Sequence, residues 1–218
     1  MSAQNSAAAK AAAIRANARK GLWRRLLAAL GLGGARVRCA DAAAARWAHG
    51  AAGEDVTAGL LTALEARGWA IRHDVRLRGR RFNVDHVLGS PCGTAVVAVE
   101  TKNWHRGRTT TVRSGRVFCG GEDRHDQVEK AVKYARLIEA ALGMPGVTVL
   151  PVMVVHGSPV AGGFLDARVQ GWEGPVYVLG PDRLLPTLAA APKMTNPARA
   201  AAVAARMDSV LSPYTEQP

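Results

Sequence analysis

The chain has 218 residues, 48% of them hydrophobic, and a formal net charge of +12. That length and composition provide one domain with a full core plus a tail. They exclude a disulfide or zinc-stapled scaffold, since Cys39, Cys92 and Cys119 are an odd number without CxxC spacing, and a membrane-spanning chain, since no apolar run reaches roughly 18 residues.

The charge is uneven. Residues 1–40 hold eight Lys or Arg and no Asp or Glu, leaving 21 basic and 17 acidic residues for the rest. Such a tail suits a polyanion, either nucleic acid or an anionic membrane surface; the alternative is a solvated, weakly sticky terminus. The order of a signal peptide is missing, so a cytoplasmic location is expected. Residues 1–20 are alanine-rich and basic, and low complexity leaves helix and disorder equally open. In Leu22–Leu30 an apolar stripe of Leu22, Trp23, Leu26, Leu27 and Leu30 predicts a short amphipathic helix, ended by Gly31, Gly33 and Gly34. It would dock on the domain or a partner, or lie on a membrane surface.

The domain proper is expected over residues 41–218. A first helix is predicted over 41–67, with Val56, Leu60 and Leu64 facing the core, Leu61 widening the stripe and Gly68 stopping it. Glu54 opens the periodic segment; it either points inward at the sheet edge or serves the helix dipole. Trp69–Asp74 is a first strand. Arg76, Arg78 and Arg80 follow on one strand face, as a phosphate clamp or a solvated hairpin tip.

Two strands then form a hairpin. In Phe82–Leu88, Phe82 and Val84 take one face, with His86 and Leu88 continuing it, while Asn83, Asp85 and Val87 take the other. The link Gly89-Ser90-Pro91-Cys92-Gly93 is rich in turn formers. Val96-Val97-Ala98-Val99 is a continuous apolar run, as for a strand buried on both faces, and runs into Glu100-Thr101-Lys102-Asn103-Trp104. Alternation sends Glu100 and Lys102 to one side and Thr101 to the other. A carboxylate and an amine at the end of a core strand are costly to bury unless paired or bound. The hairpin brings Asp85 near them.

A second hairpin, Thr109–Val112 and Arg116–Cys119, turns at Ser114-Gly115. Arg106, Arg108, Arg113 and Arg116 make it basic, suited to lining a nucleic-acid path; Trp104 either stacks on a base or packs over the strand end. Asp126 is expected to cap a helix over 127–142, with Gln127 and Tyr134 two turns apart on one face. Val147–Val155 is the most apolar run and reads as a central strand, with Pro151 arguing for a bulge or an edge there. A loop over 157–163, a short strand Val176–Leu179 and one or two helices from Pro181 complete the core.

Asp85, fourteen residues, then Glu100-x-Lys102 resembles the PD-(D/E)XK nuclease superfamily. Ala52-Gly53-Glu54-Asp55-Val56, the Asp85 strand, Glu100-Thr101-Lys102-Asn103 and Gln127 opening a helix, in that order, resemble its nuclease-related domain (NERD) family over residues 46 to 157. Val84 stands where the family name has proline. The resemblance implies an α/β fold, a central mixed sheet flanked by helices, and hydrolysis of phosphodiesters, those of DNA at interior positions. Oxygen ligands from Asp85 and Glu100 suit Mg²⁺ or Mn²⁺. The resemblance adds the backbone carbonyl of Thr101 as a ligand, Glu54 for a second ion or its water, and Lys102 to orient water or stabilise charge on phosphorus. A Gln-to-Tyr helix after Glu-x-Lys resembles one branch of the superfamily, which implies that Gln127 abuts the metal and Tyr134 approaches the nucleic acid. The nucleic-acid contacts so expected are Arg76, Arg78, Arg80, Arg106, Arg108 and Tyr134.

Three other readings stand beside this one. The triad could be a structural ion pair between Lys102 and one carboxylate. The fold could bind nucleic acid without cutting it. The chain could act as a partner- or membrane-anchored protein through residues 1–40. A homodimer would suit cutting of both strands. Other chemistries fit poorly: the six histidines lack zinc-ligand spacing, no phosphate loop of the Gly-x4-Gly-Lys-Ser/Thr form occurs, and Gly157-Ser158-Pro159 lacks the second Gly of a nucleophile elbow.

Overall fold

The structure, a computed structural model, describes residues 6–18, 35–190 and 194–214. The chain divides into two units, residues 1–55 with 215–218, and residues 56–214. The first contains α1 (Ser6–Ala18) and most of α2 (Ala35–Thr62), which ends in the second. The amphipathic segment expected at Leu22–Leu30 lies outside the described residues. Among those described, no helix is long and apolar enough to cross a membrane.

The second unit is an α/β fold built on a mixed sheet. In chain order its strands are β1 (Ala70–Leu77), β2 (Val84–Gly89), β3 (Ala95–Asn103), β4 (Thr110–Arg113), β5 (Arg116–Cys119), β6 (Glu122–Asp123), β7 (Thr148–His156), β8 (Phe164–Ala167), β9 (Val176–Leu179) and β10 (Leu211–Pro213). Its helices are α3 (His125–Leu142), α4 (Pro181–Ala189) and α5 (Pro197–Val210). The seven-stranded sheet has the order β10-β1-β2-β3-β7-β9-β8, and β4-β5-β6 form a separate three-stranded sheet. β1, β2 and β3 pair antiparallel; β3, β7 and β9 pair parallel.

β3 is buried on both faces, as its apolar run predicts. Val96 and Ala98 pack with Tyr134, Ile138 and Leu142 of α3 and Val203 and Met207 of α5. Val97 and Val99 pack with Leu61 and Leu64, with Val152 and Val154 of β7, and with Leu184 and Leu188 of α4. Each fully buried valine contributes roughly 1.5–3 kcal/mol. β3 is thereby held as a fixed rail, and its C-terminal end carries Glu100, Thr101 and Lys102.

Several expectations are corrected. The helix expected over 41–67 is α2 followed by a 3₁₀ turn, Glu65–Arg67, with Gly68 left-handed at φ 82°. Its core stripe is Thr57, Leu61 and Leu64, one residue round from the stripe expected, and Val56 is 53% exposed. Spacing alone does not separate two adjacent stripes when Leu60 and Leu61 are both apolar. The acid at the start of α3 that takes an open amide is Asp123, whose Oδ1 accepts from the His125 N–H at 2.8 Å, not Asp126. Pro151 sits in a central strand without a bulge: β9 pairs with β7 only from Val152 onward, which spares the missing donor on that side. Strict alternation also fails in the first hairpin. Val75, Leu77 and Val84 pack with Val87, whereas Ile71 and Leu88 lie in the other cluster. On β1 the change of face falls at Asp74, which is left-handed at φ 46° and lies between Ile71 and Val75.

Candidate active site

The β2–β3 ladder runs to His86 opposite Val99. Carried one residue further, the register sets Asp85 beside Glu100. Here the ladder ends, and the Asp85 carboxylate takes over its hydrogen bonding: Oδ2 accepts from the Thr101 N–H at 2.7 Å. Asp85 is 8% exposed and Glu100 5%, so both carboxylates are withdrawn from water where charge needs compensation.

Glu100 and Lys102 follow Val96 and Ala98 on the α3 side of β3. The Lys102 ammonium donates to Glu100 Oε2 at 2.9 Å and to the Thr101 carbonyl at 3.1 Å. Glu100 Oε1 is buried with no hydrogen-bond partner. A buried carboxylate oxygen left without a donor is a place for a cation. Among the described residues no three His, Cys, Asp or Glu side chains converge as a metal cluster. The oxygens on offer are thus two carboxylates and a carbonyl. That set fits Mg²⁺, which retains several waters and takes only one or two protein carboxylates.

Thr101 points the other way. Its hydroxyl donates to Thr57 Oγ1 at 3.2 Å, and Thr57 Oγ1 lies 2.8 Å from His156 Nε2. Thr57 and His156 were missed in the sequence. The available signal was a polar residue in the Thr57, Leu61, Leu64 stripe, which needs a buried partner.

Next to Asp85, His86 is 2% exposed, and its Nδ1 lies 2.8 Å from His73 Nδ1. Burial, reinforced by His73 and His156, pushes its pKa down to about 3. His86 is therefore neutral at pH 7 and places no positive charge beside Asp85.

Gln127 lies in the first turn of α3, where its Oε1 accepts from Trp104 Nε1 at 3.2 Å. Trp104 is 6% exposed, so it packs over the strand end and offers no open face to a base. Tyr134 is 7% exposed and stacks face to face on Phe82 at 4.3 Å, with Lys130 over its ring at 5.3 Å. Its ring is therefore a core element rather than an open nucleic-acid contact. Glu54 is half-buried on α2, in the first unit.

The expected arginine contacts are dispersed. Of Arg76, Arg78 and Arg80 only Arg76 lies in a strand, because β1 ends at Leu77, so they share no strand face. Arg78 donates to the Ser209 and Asp208 carbonyls at 2.9 and 3.2 Å, closing the C-terminal end of α5. Arg80 and Arg106 are exposed, and Arg108 is ion-paired with Glu122. The β4–β5 hairpin turns as predicted, at Ser114 (φ 49°) and Gly115 (φ 78°). Ser158 fixes it to the end of β7, bonding Thr110 Oγ1 at 2.7 Å and the Arg108 carbonyl at 2.5 Å.

Residues 49–156 match the family model described as nuclease-related domain. No curated protein and no solved structure gives a significant match.

Proposed function

The chain carries a nuclease-related domain over residues 49–156, and on that premise we propose that it is a metal-dependent nuclease cutting DNA at interior phosphodiesters. The observation that carries this reading is the end of β3, where Glu100 Oε1 is buried without a hydrogen-bond partner while Oε2 accepts from Lys102. Asp85, Glu100 and the Thr101 carbonyl would hold Mg²⁺ or Mn²⁺. The bound cation would supply Lewis acidity and lower the pKa of a water at the scissile phosphorus.

The chain's own groups do the rest. The Thr101 amide fixes the Asp85 carboxylate. Lys102, 24% exposed at its side chain, is the accessible positive group beside the buried carboxylates, and its ammonium stabilises charge developing on the phosphate. Gln127, held by Trp104, lines the approach from α3. Exposed Arg80 and Arg106, with the basic N-terminal segment, draw the polyanion in.

The test is incubation of supercoiled and linear single-stranded DNA with the purified chain and Mg²⁺, Mn²⁺ or EDTA. Nicked circles formed with metal and not with EDTA support the reading. Intact DNA under every metal, with salt-dependent binding preserved, favours a module that binds nucleic acid without cutting it.

A further inference from the structure

We propose that Thr57 is a positioning residue for the cation site, acting through Thr101 from the opposite face of the sheet. This rests on the reading of Asp85, Glu100 and the Thr101 carbonyl as ligands. Thr101 meets the site twice, through its amide on Asp85 and its carbonyl beside Lys102. Both belong to peptide groups flanking one Cα, so their directions depend on how the strand is rotated there. On the β7 side the parallel ladder holds that rotation, with Thr101 opposite Val154. On the β2 side the ladder has ended. The remaining restraint is the side chain, whose hydroxyl is bonded to Thr57 Oγ1 on α2.

The chemistry of that restraint is complete. Thr57 is fully buried and Thr101 5% exposed. A hydroxyl has one hydrogen to give and two lone pairs. Thr57 Oγ1 accepts from Thr101 and is in hydrogen-bond contact with His156 Nε2 at 2.8 Å. Burial holds the His156 pKa below its usual value, so the ring is neutral and can accept. Valine has the shape of threonine without the hydroxyl; at position 57 it would leave the Thr101 hydroxyl and the His156 nitrogen without this partner. Serine would keep both bonds. Groups that orient metal ligands from behind change metal affinity or activity about 10–100-fold when removed.

The experiment measures Mn²⁺ binding to the full chain by calorimetry, with the Mg²⁺ concentration for half-maximal plasmid cleavage alongside. Thr57→Val is expected to bind Mn²⁺ about 10–100-fold more weakly, with its thermal transition retained. Thr57→Ser is expected to stay close to wild type. Thr101→Val removes the other end of the same bond and should give the same loss, and the double variant should be no worse than either single. Wild-type affinity in Thr57→Val, or a Thr57→Ser as impaired as Thr57→Val, overturns the proposal. Should Thr57→Val not fold, wild-type affinity in Thr101→Val overturns it equally. A wild-type chain that binds no Mn²⁺ overturns the ligand assignment itself, and this inference with it.

Discussion

The Thr101 amide donates to Asp85 Oδ2 at 2.7 Å at the point where β2 and β3 part. One bond thus ends the ladder without leaving a buried amide unpaired and sets a carboxylate beside Glu100.

This bond separates two substitutions at position 85. Asp85→Asn keeps an oxygen acceptor for the Thr101 amide and loses the charge. It should retain most of its stability and lose metal-dependent cleavage. Asp85→Ala leaves the amide without that acceptor and should in addition lose about 1–3 kcal/mol. Urea denaturation beside plasmid cleavage reads both.

Lys102 donates to Glu100 Oε2 and to the Thr101 carbonyl, so its ammonium competes with the proposed cation for the same ligand residues. Lys102→Met should lower cleavage by about 10²–10³-fold, the usual effect of removing one group that stabilises transition-state charge. Its Mn²⁺ affinity should be equal to or tighter than wild type, because the competing ammonium is gone. Calorimetry beside single-turnover cleavage checks the split; loss of both together would make Lys102 a support of the carboxylates only.

The histidines make the fold acid-sensitive. His86 titrates at about 3 when folded against 6.5 when free. A folded pKa below the unfolded one means that the unfolded chain binds the proton first. Stability is therefore full above about 6.5 and lost progressively as pH falls toward 3. The gap corresponds to roughly 4–5 kcal/mol overall, of which roughly 2–3 kcal/mol is lost between pH 7 and 4.5. His73 and His156 are lowered by burial and act with the same sign. Denaturation midpoints at the two pH values should show the slope, and His86→Leu should flatten it.

Gly157 is left-handed at φ 77°, and a Cβ there would lie 2.3 Å from the Trp104 carbonyl oxygen and 2.7 Å from Asn103 Oδ1. Both neighbours follow Lys102 directly. Gly157→Ala should cost about 1–3 kcal/mol from the backbone conformation alone, with the clash adding to it, and should displace the strand end enough to lower cleavage. Thermal unfolding and plasmid cleavage together report this.

The central hairpin was legible in the sequence because two signals agreed. The Val96–Val99 run marked a strand buried on both faces, and the turn formers at 89–93 set the register that brings Asp85 toward Glu100. The α3 helix was legible for the same reason, its periodicity ending at Gly143 in the left-handed conformation. The short strands β6, β8 and β10 were not: β6 and β10 have two and three residues, and β8, Phe-Leu-Asp-Ala, lacks the valines that marked the equally short β9. The inversion at Asp74 was also hidden, because aspartate is ordinary in a strand until its φ is seen. At the site, residues on one strand were easier to place than those from other elements. Glu100 and Lys102 follow from alternation, whereas the burial of Tyr134 depends on Phe82, which arrives from a loop 52 positions away in the chain. Arg78 reads as a phosphate contact until α5 places the Asp208 and Ser209 carbonyls beside it.

The most direct measurement is nicking of supercoiled plasmid in Mn²⁺ by the wild-type chain and by Glu100→Ala, with DNA affinity and thermal unfolding recorded for both. The site proposed at the end of β3 requires EDTA-sensitive nicking in the wild type and none in Glu100→Ala, with the fold and most of the DNA affinity kept. Nicking that survives in Glu100→Ala would place the chemistry elsewhere in the chain.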